Sequence, residues 1–300
     1  MRRALFSFLF TWLFSQVATA VENPECFGIY AEYLIMRDAR SFPFFAVPNN
    51  LNGRGYANET RWRSGYRVEG AYSFCPNDGI HLRWTQFPQF TGSRFLSPGI
   101  SIKDSIGESN AGTTIKDKVD LSLYYLELFY MHDFSFCSPL ALSLLTGVQY
   151  SHIRAHEQLE IFGVHGVPAG DALRDIFKSV RWGIGPELGV ELHYPFCSCL
   201  SAEMRTTGSL MIARRVNEWE QPGIGTSVAG KIKDDTIWLA LPFWDIRLGL
   251  NYQLGCFNVE AGYEIFTFFD GLGRFNPFDI INLHENLTMY GFYFQLGFAF

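Results

Sequence analysis

The chain carries 300 residues, with 24 Lys and Arg against 30 Asp and Glu and a formal net charge of -6. Its basic residues are scattered rather than clustered, which excludes nucleic acid and other polyanions as partners. The aromatic share of 17%, with 29 Phe, is high for a water-soluble enzyme and turns attention to membranes.

The first element is a targeting segment. Met1-Arg2-Arg3 supplies a positive n-region, "ALFSFLFTWLF" an apolar h-region, and Ala18-Thr19-Ala20 a small-x-small cleavage site. This predicts a secretory signal peptide over residues 1–20, removed after Ala20, with residues 21–300 left as one domain. The apolar run is too short for an anchor helix, and no later run approaches the ~20 residues a membrane helix needs.

Ten strands follow, predicted near 26–37, 62–74, 79–90, 119–133, 140–155, 180–194, 199–214, 238–254, 257–269 and 288–300. Their mark is a period of two. In "RWGIGPELGVELHY", Trp182, Ile184, Leu188, Val190 and Tyr194 share one parity, and Arg181, Glu187, Glu191 and His193 the other. In "WDIRLGLNYQL", Trp244, Ile246, Leu248, Leu250 and Tyr252 oppose Asp245, Arg247, Asn251 and Gln253. The last segment, "YGFYFQLGFAF", sets Tyr290, Phe292, Phe294, Leu296, Phe298 and Phe300 against Gly291, Tyr293, Gln295, Gly297 and Ala299.

Such strands suit either a soluble sandwich, with the apolar parity in a core, or a membrane barrel, with it against lipid. Segments of about 11–14 residues match or exceed the ~9–11 of a tilted membrane strand and outrun the usual ~5–6 of globular strands. Aromatic residues gather toward strand ends, as interfacial girdles require. Short turns at "CPNDG", "FCSP", "PFCSC" and "LGCF" alternate with long loops near 38–61, 91–118, 156–179, 215–237 and 270–287. The fold expected is all-β: a single antiparallel transmembrane β-barrel of about ten strands, within a range of about eight to twelve. Short turns mark the periplasmic side of bacterial barrels, so both termini are expected there and the long loops outside.

The ordered segments "FGIYAEYLIMR", "GYRVEGAYSF", "LRWTQF", "RWGIGPELGVELHY", "WDIRLGLNYQL" and "VEAGYEIFTFFDG" resemble one family. It is the Legionella-type major outer membrane protein family, which includes MOMP-like proteins of chlamydia-related bacteria. The resemblance covers nearly the whole chain after residue 20 and implies an outer-membrane barrel with a porin role. A C-terminal strand ending in Phe also resembles those of outer-membrane barrels as a group. The resemblance makes Tyr290, Phe292, Phe294, Phe298 and Phe300 the recognition signal for the barrel-assembly machinery, a partner alongside outer-membrane lipid.

With the apolar parity on lipid, the opposite parity lists what fills the barrel. It holds Glu32, Glu69, Glu127, Glu187, Glu191, Glu203, Asp245, Glu260 and Glu264, with Arg67, Arg83, Arg181, Arg205 and Arg247, and His81 and His193. Basic residues on the lipid face would each cost about 2–4 kcal/mol at mid-depth, so their shared parity is physically enforced. Two functions are open. A porin or narrow channel for small polar solutes or ions would use these groups as its pathway, the acidic excess favouring cations. The alternative is a non-conducting surface or adhesion barrel whose lumen is filled by salt bridges, as in barrels of about eight strands.

On this topology all six cysteines, Cys26, Cys75, Cys137, Cys197, Cys199 and Cys256, fall at or beside the periplasmic end of a strand, and none in a long loop. One-sided placement in an oxidising compartment makes them disulfide candidates. Pairing within one barrel needs Cα atoms within about 7 Å, which turns spaced around a rim rarely meet. Cys197 and Cys199 read as too close in sequence to pair with each other. The expectation is crosslinking to other envelope proteins or to further copies of the chain, which the chlamydia-type resemblance also implies.

No catalytic residues, cofactor or metal site are predicted. Cys-x2-Cys pairs, a G-x-S-x-G elbow and an H-E-x-x-H run are all missing from the sequence. Gly183-x-Gly185 has no strand-loop-helix context for a dinucleotide. Outer-membrane enzymes such as ten-stranded proteases place an acid/His cluster near the rim. Here that would draw on His152, His156 and Glu157, or on Asp38 and Asp270, and only a hydrogen-bonded arrangement would make either a site.

Overall fold

The computed structural model describes residues 26–38, 47–48, 62–96, 100–103, 109–110, 114–135, 140–162, 172–222, 230–275 and 282–300. The predicted signal segment and Cys137 lie outside the described residues. Ten long strands close into an antiparallel barrel. They are β1 (Cys26–Asp38), β2 (Trp62–Cys75), β3 (Asp78–Leu96), β4 (Thr114–Ser135), β5 (Ala141–Phe162), β6 (Ala172–Pro195), β7 (Leu200–Gln221), β8 (Gly230–Leu254), β9 (Phe257–Phe275) and β10 (Asn282–Ala299). Each pairs with its neighbour in sequence, and β1 joins β10, with Glu32 opposite Gln295 and Tyr33 opposite Phe294. At the seam Phe27 and Phe300 exchange two backbone hydrogen bonds of 2.8 and 2.9 Å. The aromatic C-terminal strand is therefore paired on both sides, and the sheet has no free edge.

The period of two maps onto the two faces of this wall. Outward stand Tyr33, Val68, Leu82, Trp84, Leu128, Ile184, Leu188, Leu210, Leu248, Leu250, Phe292, Phe294 and Leu296, with Leu296 66% exposed. Apolar area on that scale, continuous around a barrel, is stable only against lipid. Inward, Gly262 on β9 lies close to both neighbouring strands: a Cβ there would collide with the Leu248 carbonyl of β8 and stand 2.5 Å from the Tyr293 hydroxyl of β10. Here glycine makes room for a bulky inward ring on the next strand.

The strands run farther than their alternation predicts. β5 and β6 continue to residues 162 and 172, and β7 and β8 to 221 and 230, so most of the loops expected at 156–179 and 215–237 are ladder. The reason is chemical. Past Ile212 and Trp182 the outward face leaves lipid, and water accepts charge there. Arg214 with Asp235 at 2.6 Å, Lys231 with Glu218 at 2.6 Å and Arg174 with Glu160 at 2.9 Å cross adjacent strands. Polar on both faces, these extensions carry no hydrophobic period to read. Register shifts fall between Phe87 and Phe90, Ala213 and Arg215, and Phe268 and Leu272, where bulges bend the wall. Beyond the barrel, residues 47–48, 100–103 and 109–110 form a small three-stranded sheet.

Candidate functional site

The barrel interior is the candidate site, and it is layered. At the short-turn end lies a polar cavity of about 170 Å³, bounded by Glu69, His81, Arg83, Glu191, Glu203, Arg205 and Glu260 among others. Inside it, His81 Nδ1 meets Glu69 at 2.7 Å, and Arg83 Nη2 meets the other oxygen of that carboxylate at 2.7 Å. Arg205 stacks over the Phe129 ring at 4.6 Å and reaches Glu191 at 3.7 Å. His193 stands half-exposed near the rim, 4.0 Å from Glu203.

Mid-barrel, a second layer joins four strands through charge. From β2, Arg67 donates to Glu32 at 2.9 Å, twice to Glu264 at 2.5 and 3.0 Å, to Tyr125 at 2.8 Å and to Thr85 at 2.8 Å. Arg247 from β8 donates to the second oxygen of Glu32 at 2.8 Å and to Gln295 at 2.8 Å, and meets Glu260 at 3.2 Å. Its guanidinium lies 3.8 Å over the Tyr293 ring, whose hydroxyl donates to Glu260. Every nitrogen of Arg67 is occupied. Buried charges persist only when paired and hydrogen-bonded in this way.

Above this layer, toward the long loops, the interior turns apolar. Leu34, Met36, Phe87, Leu121, Leu123, Tyr125, Ile153, Met211, Leu241, Phe243, Phe266, Phe268, Leu287 and Met289 form one cluster, each 3% exposed or less. In the ring of ten strands β4 lies opposite β9. Even so, the Tyr125 ring on β4 packs 5.8 Å from Phe266 and 5.9 Å from Phe268 on β9, and 5.7 Å from Phe243 on β8. Opposite walls therefore touch across the lumen at this level. Farther out, Arg181 pairs with Asp270 at 3.2 Å.

The structure places Glu32, Arg67, Glu69, His81, Arg83, Glu127, Arg181, Glu187, Arg205, Asp245, Arg247, Glu260 and Glu264 in the interior, all 8% exposed or less. Glu191, Glu203 and His193 sit at the mouth of the cavity and are half-buried. Sequence reasoning missed the apolar layer, as well as Tyr125 and Tyr293, whose hydroxyls complete the ionic one. Of the rim candidates, His152 and Glu157 do not come together. Glu157 is buried in the interior, whereas His152 is half-buried outside, stacked 4.8 Å from Tyr124, so β5 sends them to opposite faces. Asp270 carries its ion pair with Arg181.

The cysteines differ among themselves. Cys75, Cys197 and Cys256 are exposed at short turns as free thiols, and Cys26 opens β1 with its backbone paired to Ser73. Cys197 and Cys199, read as too close in sequence to pair comfortably, are both free thiols, and their sulfurs stand 3.6 Å apart. On an extended strand, residues two apart would be separated by about 6.6 Å of rise. Residues 196–199 instead form a bend, which folds the two side chains together.

Residues 22–300 match the model of a family described as the Legionella pneumophila major outer membrane protein precursor. No match is found among curated proteins. Among solved structures, the chain is similar to the outer membrane protease OmpT of Escherichia coli. The identity is 11%, with 94% of this chain and 97% of that one covered at a TM-score of 0.50. It is also similar to a major outer membrane protein of Thermus thermophilus, at 11% identity, 92% and 99% coverage and a TM-score of 0.36. OprG of Pseudomonas aeruginosa aligns at 12% identity, 91% and 96% coverage and a TM-score of 0.34. At these identities the likeness concerns the fold alone.

Proposed function

Because the chain belongs to the Legionella pneumophila major outer membrane protein family, we propose that it is a non-conducting surface barrel that reinforces the bacterial outer membrane. Its short turns and both termini face the periplasm in this reading, as short turns do in bacterial barrels. One observation carries the proposal: Tyr125 packs against Phe266 and Phe268 from the opposite wall, directly above the Arg67–Glu32–Glu264 cluster. Two consecutive filled layers favour the closed barrel over the narrow porin, whose support is the polar cavity at the short-turn end. A ten-strand barrel lies near the size at which side chains fill the interior. The charged extensions of β5 to β8 support a surface role, since they carry rigid ladder beyond the lipid-facing band.

Purified protein in lipid vesicles loaded with a small sugar is expected to release it no faster than empty vesicles do. Release that rises with protein content would reject the closed-barrel reading in favour of the porin.

Reinforcement would act through the thiols on the short-turn rim. Cys75 and Cys256 are exposed on separate turns, free to meet a neighbouring barrel or another envelope protein. Envelopes from oxidised cells are expected to show the chain in high-mass bands that collapse to monomer on reduction. An unchanged monomer band would count against crosslinking.

A further inference from the structure

We propose that Cys197 and Cys199 form a reversible dithiol–disulfide couple at the turn between β6 and β7, with Cys197 attacking and Cys199 resolving. The inference goes beyond the closed-barrel reading and does not depend on whether the lumen conducts. It rests first on distance. The two sulfurs lie 3.6 Å apart, so bonding at the ~2.05 Å of a disulfide closes a gap of about 1.5 Å. Rotation about the side-chain torsions of an exposed Cys197 and a half-buried Cys199 supplies that much movement.

It rests next on how the turn is held. Phe196 and Cys197 both donate their N–H to the Leu200 carbonyl, at 2.9 and 3.2 Å, and Gln253 of β8 donates to the Cys199 carbonyl at 2.8 Å. The bend is therefore fixed from two strands, and the thiols face each other on a rigid frame. Backbone N–H groups of Cys199 and Leu200 converge on the Cys197 sulfur and lower its pKa, a small anion-binding nest. The Cys199 thiol has its pKa raised by its neighbour Cys197, and it also hydrogen-bonds Tyr252. Cys197 is the exposed thiol and Cys199 the half-buried one, so an external disulfide reaches Cys197 first, and the lowered pKa of that thiol acts in the same direction.

The exchange balances with a disulfide R–S–S–R′, from a protein or a small thiol, as the oxidant. The Cys197 thiolate attacks one sulfur, forming Cys197–S–S–R and expelling R′–S⁻. Cys199 then gives its proton to water and attacks the Cys197 sulfur, forming the Cys197–Cys199 bond and releasing R–S⁻. Two thiols lose two electrons and two protons, and one disulfide becomes two thiols. Run backwards, the couple passes a disulfide to a partner thiol. In the envelope this would make any crosslink through Cys197 exchangeable, because Cys199 stands ready to release it. Cys75 and Cys256 lie at other turns and would hold their crosslinks.

The test uses the full barrel of residues 21–300, reduced and folded in detergent, then equilibrated with glutathione buffers of graded potential. Free thiols are alkylated and the peptide spanning Cys197 and Cys199 is weighed. That peptide is expected to lose two hydrogens with no other chain attached. Cys199→Ser is expected to accumulate a Cys197–glutathione mixed disulfide, and Cys197→Ser to acquire glutathione at least tenfold more slowly. Recovery of Cys197 joined to Cys75 or Cys256 would overturn the proposal. So would a reduced Cys197–Cys199 peptide at potentials that oxidise the other cysteines. Equal glutathione uptake by the two variants would overturn the assignment of Cys197 as the attacking thiol. Both serines are near-isosteric and lie in an exposed turn, so the folded barrel is kept.

Discussion

Arg67→Met is expected to destabilise the folded barrel by about 3–5 kcal/mol, the usual cost of removing one partner from a buried ionic cluster. The Arg67 side chain is 1% exposed, and its partners Glu32 and Glu264 are 1% and 0% exposed. Without it, Glu32 keeps Arg247, but Glu264 loses both of its guanidinium hydrogen bonds. A carboxylate stranded in the interior has no water to turn to, and its full desolvation cost then counts against the fold. Adding Glu264→Gln to Arg67→Met removes that stranded charge and is expected to recover a large part of the loss. Arg214→Met, which breaks an exposed pair with Asp235 on the outer extension, should leave the unfolding midpoint nearly unmoved. Urea titration of the barrel in lipid, followed by tryptophan fluorescence, compares all three. Equal midpoints for Arg67→Met and Arg214→Met would mean that the ionic layer is not a buried structural element.

Phe266→Ala is expected to cost a similar ~3–5 kcal/mol, here through a cavity rather than a charge. Phe266 is fully buried and touches the rings of Phe87 at 5.7 Å, Tyr125 at 5.8 Å and Phe268 at 6.1 Å. Packing from both walls leaves little freedom for the site to collapse once the ring is gone. Phe294 on the next strand is the natural control. It points outward at 52% exposure, and lipid chains can flow into the space its ring leaves. The same titration should show a markedly smaller loss for Phe294→Ala. A reversed order would place the rigid apolar layer in the wrong part of the molecule.

The sequence displays these two faces unequally. Where one face meets lipid and the other meets charge, alternation is clean, and Trp182 to Tyr194 or Trp244 to Leu254 can be assigned residue by residue. The ionic layer is legible for that reason, since placing an Arg on the lipid face is too costly to occur by accident. The apolar layer is not. In "YLIMR" and "IFTFF" both parities are apolar, because one faces lipid and the other faces the plug, so the period of two dissolves. Leu34, Met36, Phe266 and Phe268 keep the parity of Glu32 and Glu264, and extending those two rows would have found them. The outer extensions fail in the opposite sense. They are polar on both faces, and cross-strand pairs such as Lys231 with Glu218 can be seen only once register is known. Spacing alone does not show how near the Cys197 and Cys199 sulfurs stand, because it does not distinguish a strand from a bend.

Single-channel recording bears most directly on the closed barrel. The barrel of residues 21–300, folded and inserted into a planar bilayer in concentrated potassium chloride, should give a flat baseline across both polarities. In the proposed closed barrel, Tyr125 and Phe266 would close the lumen and the Arg67 cluster the layer beneath. Reproducible unit steps that scale with the amount of inserted protein would contradict the account and restore a conducting pathway through the interior.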